Sequence, residues 1–128
     1  MKKMGDAERL RHIIEAIDLI ESFLLLTDAK TFSDSQEKQS AVCMQFTIIG
    51  EAARNLTTAF CSQHSEIPWA KIIGMRNYLV HDYVRIDYNA VWNTAKNDLP
   101  VLKAQITGIL AELQPQKKTE KSLKPPKI

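Results

Sequence analysis

At 128 residues, with 45% apolar side chains, the chain has the material for one domain with a single core, and its four glycines are too few for the tight turns of a β-rich fold. The formal net charge of +2 hides an asymmetry: Lys117, Lys118, Lys121, Lys124 and Lys127 against Glu120 put +4 on residues 117–128 and leave −2 on residues 1–116, so the body is not a general polyanion binder and any positive potential must be local, around Lys71, Arg76 and Arg85. No apolar run approaches the ~20 residues of a membrane span, and Met1 to Asp6 leads into a charged helix rather than a signal-peptide core, so the expectation is a cytoplasmic protein without a membrane partner.

Leu10, Ile13, Ile14, Ile17, Ile20 and Leu24 recur at helical spacing and predict a first helix from Asp6, which can cap it, to Leu26. Thr27 to Ser35 reads as a loop ending in a cap at Ser33 or Ser35. A second helix is predicted to run on to Phe60, burying Val42, Phe46, Ile49, Ala53 and Leu56. Gly50 within it costs about 1 kcal/mol of helix propensity relative to alanine, which points to close packing there. Cys43 and Cys61, the two cysteines, would share a face about 27 Å apart if both lay on one helix, too far to bridge. After a connection from Cys61 to Ile67, Pro68 suits the first turn of a third helix reaching His81, with Trp69, Ile72, Ile73, Leu79 and Val80 as its apolar surface. Asp87 can cap a fourth helix carrying Tyr88, Val91, Trp92, Ala95, Leu99, Leu102, Ile106 and Ile109, and Pro100 should kink it. Beyond Leu113 the periodicity is lost. The expectation is therefore an all-α, up-and-down four-helix bundle over residues 1–113 with a kinked last helix, followed by a disordered basic tail over 114–128.

One stretch carries chemistry. Gly74-Met75-Arg76-Asn77-Tyr78-Leu79-Val80-His81-Asp82-Tyr83 places a permanently charged guanidinium, an imidazole and a phenol within eight residues. RNA brings its own nucleophile, the 2′-hydroxyl, so cleavage needs only a proton acceptor, a proton donor and positive charge at the phosphate. His81 is the one proton-transfer group in the stretch, Arg76 fits a phosphate clamp, and Asn77 and Tyr83 can orient the substrate. Glu51, following Gly50, lines the same region or only caps an ion pair. The structural alternative is that Arg76 simply pairs with Asp82 or Glu51, and that His81 is a favourable charge at a helix C-terminus. His12 and His64 lack such context and read as surface residues. The three histidines and two cysteines show no metal-ligand spacing. Trp69, Trp92 and Tyr88 fit core packing better than base stacking.

The same stretch, with Gly50-Glu51-Ala52-Ala53, Ile67-Pro68-Trp69, Val91-Trp92 and Asn97-Asp98-Leu99-Pro100, resembles the HepT-like branch of the HEPN superfamily over roughly residues 6 to 113. The resemblance implies a small all-helical RNase toxin, and joined to the residue chemistry above the expectation is cofactor-free, metal-independent cleavage through an R-x-x-x-x-H-x-Y motif, with Arg76 and His81 catalytic and Asn77, Tyr83 and Glu51 supporting. It also implies a homodimer, neutralised by a cognate MntA-like nucleotidyltransferase antitoxin that attaches AMP to Tyr83. A second reading is a non-catalytic HEPN module that binds nucleotide or substrate for a separate nucleotidyltransferase.

Overall fold

The computed structural model describes residues 4–113 and Pro126, so the expected tail over 114–128 lies almost wholly outside the described residues. Helix α1 (Asp6–Phe23) is followed by a short α2 (Ala29–Asp34), α3 (Gln36–Arg54), a short α4 (Thr58–Gln63) and α5 (Trp69–His81). A 3-10 turn (Tyr83–Arg85) then leads into one continuous helical run made of α6 (Tyr88–Asn93), a π-helical segment (Thr94–Asp98) and α7 (Leu99–Glu112). There is no strand among the described residues, and the fold is an all-helical, HEPN-like bundle. No helix among them is long and apolar enough to cross a membrane.

Helix α3 is the centre of the bundle. It packs against α1 on one side and α5 on the other, and α1 also meets α7. The core follows the expected stripes: Leu10, Ile13, Ile17 and Ile20 of α1 meet Val42, Phe46, Ile49 and Ala53 of α3, with Val91, Leu102 and Ile106 completing it. Each of the larger of these side chains contributes roughly 1.5–3 kcal/mol through removal from water, and the Ala53 methyl about 0.8 kcal/mol. Trp69 is buried, and Trp92 and Tyr88 pack with Phe32, their rings 5.7 and 6.3 Å from its centroid.

Several boundaries differ from the sequence-based expectation, each for a local reason. Asp6 does not cap α1; the N-cap position falls on Gly5 without a side-chain bond, and the Asp6 carboxylate instead accepts from the Thr57 N–H at 2.9 Å and its hydroxyl at 2.7 Å, tying the start of α1 to the start of α4. The expected loop from Thr27 to Ser35 contains α2, because Asp28 accepts from the Thr31 N–H and Phe32 gains a buried seat. Buried Gln39 donates to the carbonyls of Phe32 and Ser33 and fastens that short helix to α3. The second predicted helix stops at Arg54, since Thr57 caps a new helix by accepting from the Phe60 N–H. Cys43 and Cys61 therefore sit on different helices, α3 and α4, and the shared-face expectation fails with that boundary.

Pro100 does not end the last helix. The turn before it opens to π geometry, with the Leu99 N–H reaching back five residues to the Thr94 carbonyl, and Pro100 falls in the first turn of α7. The wider turn relieves the clash that a proline ring makes with the carbonyl four residues earlier in a regular α-helix.

Candidate active site

Arg76 is placed by the contact between α3 and α5. A Cβ added to Gly50 would collide with Arg76 Cβ and lie 3.0 Å from its Cγ and 3.2 Å from the Ile72 carbonyl oxygen, so the two backbones approach this closely only because residue 50 is glycine. The arginine stem is thus laid across α3, where Glu51 follows. Arg76 Nε stands 3.4 Å from Glu51 Oε2, and Nη1 donates to Asn77 Oδ1 at 3.0 Å. Nε is sealed from solvent and has no partner in hydrogen-bonding geometry, so Glu51 serves it as an ion-pair partner at slightly long range rather than as a formed hydrogen bond. Of the two partners open to Arg76, Glu51 is therefore the one it uses, and Asp82 is not.

The rest of the motif sits at and beyond the end of α5. His81 is its last residue, about 7.5 Å along the axis and about 140° round from Arg76, and it is exposed. Tyr83 opens the 3-10 turn with 70% of its surface exposed. Among the described residues His81 and Tyr83 form no hydrogen bond or ion pair with Arg76, Asn77 or Glu51, so one chain divides the motif into a tethered guanidinium and a presented imidazole and phenol. Val80 and Val84, 40% and 80% exposed, flank the second group.

Tyr78 holds that turn, a role the sequence reading missed. Its hydroxyl accepts from the Asp87 N–H at 2.7 Å and donates to the Arg85 carbonyl at 3.3 Å, joining α5 to the far side of the turn and to the cap of α6. Asp87 caps α6 as expected, accepting from the N–H groups of Asn89 and Ala90. Asn55 was also missed, although its position one helical turn after Glu51 is a detectable signal: its side-chain amide donates to Glu51 Oε1 at 3.3 Å and to the Glu51 carbonyl at 2.8 Å.

A groove of about 330 Å³ lies elsewhere. Phe46 and Ile49 of α3, Ile72 and Met75 of α5, and Leu99 and Leu102 of α7 line it, with Lys71 and Asp98 among its polar lining. None of the five predicted site residues borders it, and Lys71, expected near the motif, belongs to this other face. His64 is not a plain surface residue: it packs on Phe60 at 4.5 Å between ring centroids, and its carbonyl accepts from Trp69 Nε1. His12 is half-buried. Burial pushes the Cys43 thiol up to about 11 and, with the nearby Asp6 charge, also raises Cys61, which disfavours either as a thiolate nucleophile. No cluster of three or more histidine, cysteine, aspartate or glutamate side chains suited to a metal ion occurs among the described residues.

The ribonuclease HepT-like family matches residues 13–109, a span that contains every motif residue and the α3–α5 contact. The chain belongs to the ribonuclease HepT-like family. A probable ribonuclease HepT of Thermococcus cleftensis is 38% identical over 103 residues, covering 80% of this chain and 94% of that one. A candidate RNase of Caldanaerobacter subterraneus is 32% identical over 101 residues, covering 79% and 90%. A Methanocaldococcus jannaschii protein named as a gamma-glutamylcyclotransferase and candidate RNase is 37% identical over 108 residues, covering 84% of this HepT-like chain. The match spans about half the length, 49%, of that larger protein. No solved structure matches the chain.

Proposed function

We propose that this HepT-like chain is the toxin of a toxin–antitoxin pair, a metal-independent endoribonuclease that works as a homodimer and is silenced when a nucleotidyltransferase attaches AMP to Tyr83. The observation that carries the reading is the tethered Arg76: a guanidinium fixed along one edge beside Asn77, on the helix that ends in an exposed His81. In the reaction, the 2′-oxygen forms a bond to phosphorus as the bond to the 5′-oxygen breaks. The 2′-hydroxyl proton passes to a base, and the departing 5′-oxygen takes a proton from an acid. His81 supplies the proton-transfer group, and Arg76 neutralises charge that grows on the phosphate. One chain offers one histidine at this position, whereas two copies across a two-fold axis offer both base and acid. Tyr83, exposed and two residues beyond His81, is accessible to a modifying enzyme. An AMP group there would place an anion and a bulky base beside the site.

The decisive experiment is cleavage of RNA by purified protein in EDTA. Wild-type protein should cut, and Arg76→Ala and His81→Ala should each lose at least about a hundredfold in rate with unchanged helicity by circular dichroism. Full activity in either variant would remove that residue from the mechanism, and activity in both would remove the site.

A further inference from the structure

The tether on Arg76 has two links, not one. Glu51 presents Oε2 to the buried Arg76 Nε at 3.4 Å, and its other carboxylate oxygen, Oε1, receives the Asn55 side-chain amide at 3.3 Å. Asn55 is also bonded to the Glu51 carbonyl at 2.8 Å, so it stands fixed against α3 rather than swinging free. The carboxylate is thereby turned, with one oxygen occupied from its own helix and the other aimed across the contact. On the arginine side, Gly50 fixes the stem and Asn77 takes one Nη1 hydrogen. Five N–H donors form the guanidinium fork, and what remains after Nε and that one hydrogen is the outer Nη edge.

We infer that Glu51, braced by Asn55, is a positioning residue that holds Arg76 by its Nε edge and so reserves the outer Nη edge for a single substrate phosphate. The inference rests on the ribonuclease reading and deepens it. Electrostatics gives the arrangement a signature that packing alone would not. A carboxylate beside the phosphate clamp repels the incoming polyanion, so Glu51 opposes RNA binding while it improves the angle at which Arg76 meets the reacting phosphate. Removing its charge should slow the chemical step without weakening binding. A residue that merely supports the fold would lower stability and leave KM and kcat uncoupled from Arg76.

The test is a kinetic comparison of wild type, Glu51→Gln, Asn55→Ala and Arg76→Lys, with thermal melts to confirm that each is folded. Glu51→Gln should lower kcat about tenfold while KM stays level or falls, and Asn55→Ala should move kcat in the same direction by about threefold. Combined with Arg76→Lys, which has no Nε–H in a fork, Glu51→Gln should cost less than about twofold more, because the partner it acts through is already gone. A kcat within about twofold of wild type for Glu51→Gln, or the same tenfold loss in the Arg76→Lys background, would overturn the assignment. A second readout is independent of cleavage. The Arg76 Nε–H proton, observed by nitrogen-15 NMR, should exchange with solvent slowly in wild type and about tenfold faster in Glu51→Gln. Exchange equally slow in both proteins would defeat the tether even if RNA is cut. If the wild type cuts no RNA, the ribonuclease reading falls by itself and the exchange rates still decide whether Glu51 holds Arg76.

Discussion

Gly50 shows how one residue trades local propensity for geometry. Alanine at this position would gain about 1 kcal/mol of helix propensity in an isolated helix. Here its Cβ would meet the rigid start of the Arg76 side chain and the Ile72 carbonyl rather than a flexible side-chain tip, and such overpacking costs about 1–3 kcal/mol. The clash wins. Gly50→Ala should therefore lower the melting temperature by a few degrees, at about 4 °C per kcal/mol for a chain between the small and mid-sized domain ranges, and should also reduce RNA cleavage by shifting Arg76. A variant that melts higher than wild type would show that α5 yields more easily than the contact implies. The sequence already marked residue 50 as a site of close packing, because a glycine in the middle of a strong helical stripe needs a reason. It did not disclose that the neighbour is Arg76, since which helices meet at a given turn is a tertiary property. Asn55 and Tyr78 escaped notice for the opposite reason: one is an ordinary helix C-cap and the other an ordinary helix residue until the partners of their polar ends are known.

At the scale of elements, the long apolar stripes were legible and the short pieces were not. The residues of α1, α3 and α7 that repeat at three and four positions are those that become buried, because burial of a stripe is what stabilises a helix of this length. Helices α2 and α4 have six residues each, too few to display a period, and rest on the caps Asp28 and Thr57 and on the buried Phe32 and Phe60. The π segment was invisible for a related reason. Sequence marks the proline, not which of several ways the preceding turn will accommodate it. The Tyr83–Arg85 turn has a functional consequence that depends on such detail. Tyr78 uses its hydroxyl twice, toward Arg85 and Asp87, whereas Tyr83 is exposed and bonded to nothing among the described residues. A nucleotidyltransferase acting on this turn should therefore modify Tyr83 and spare Tyr78. After co-expression with the cognate enzyme, mass spectrometry should find about 329 Da added per AMP on Tyr83, and Tyr83→Phe should remain active and unmodified. AMP on Tyr78, or silencing of Tyr83→Phe by catalytically active transferase, would move the switch elsewhere.

At the scale of the whole molecule, the concave surface and the motif lie apart. The groove against α7 borders none of Arg76, Asn77, His81, Tyr83 and Glu51, and a single chain leaves His81 and Tyr83 exposed. Water-excluded sites strengthen charge stabilisation, and an open face forgoes that advantage unless another surface covers it. The exposed apolar side chains Val80 and Val84 beside His81 and Tyr83 fit a covered face better than a wetted one. A two-fold contact through this face would bring two copies of the motif together and supply a proton acceptor and a proton donor from the same residue type. Light scattering during gel filtration should then report about twice the 14.5 kDa chain mass. Val84→Asp, which places a charge in the proposed contact, should shift the protein toward monomer and lower cleavage together, leaving the melt of the helical core nearly unchanged because Val84 is 80% exposed in the single chain. Mixing Arg76→Ala with His81→Ala protein extends the test, since the mixed dimer keeps one intact copy of each residue on different chains. Because that dimer holds a single His81, which can serve as base or as acid but not both, cleavage on mixing should stay far below the wild-type rate, and recovery to near half of it would show that one histidine is enough. A monomer that cuts RNA as fast as any dimer at the same chain concentration would sink the shared cleft, and each chain would then have to find both its acid and its base without a partner.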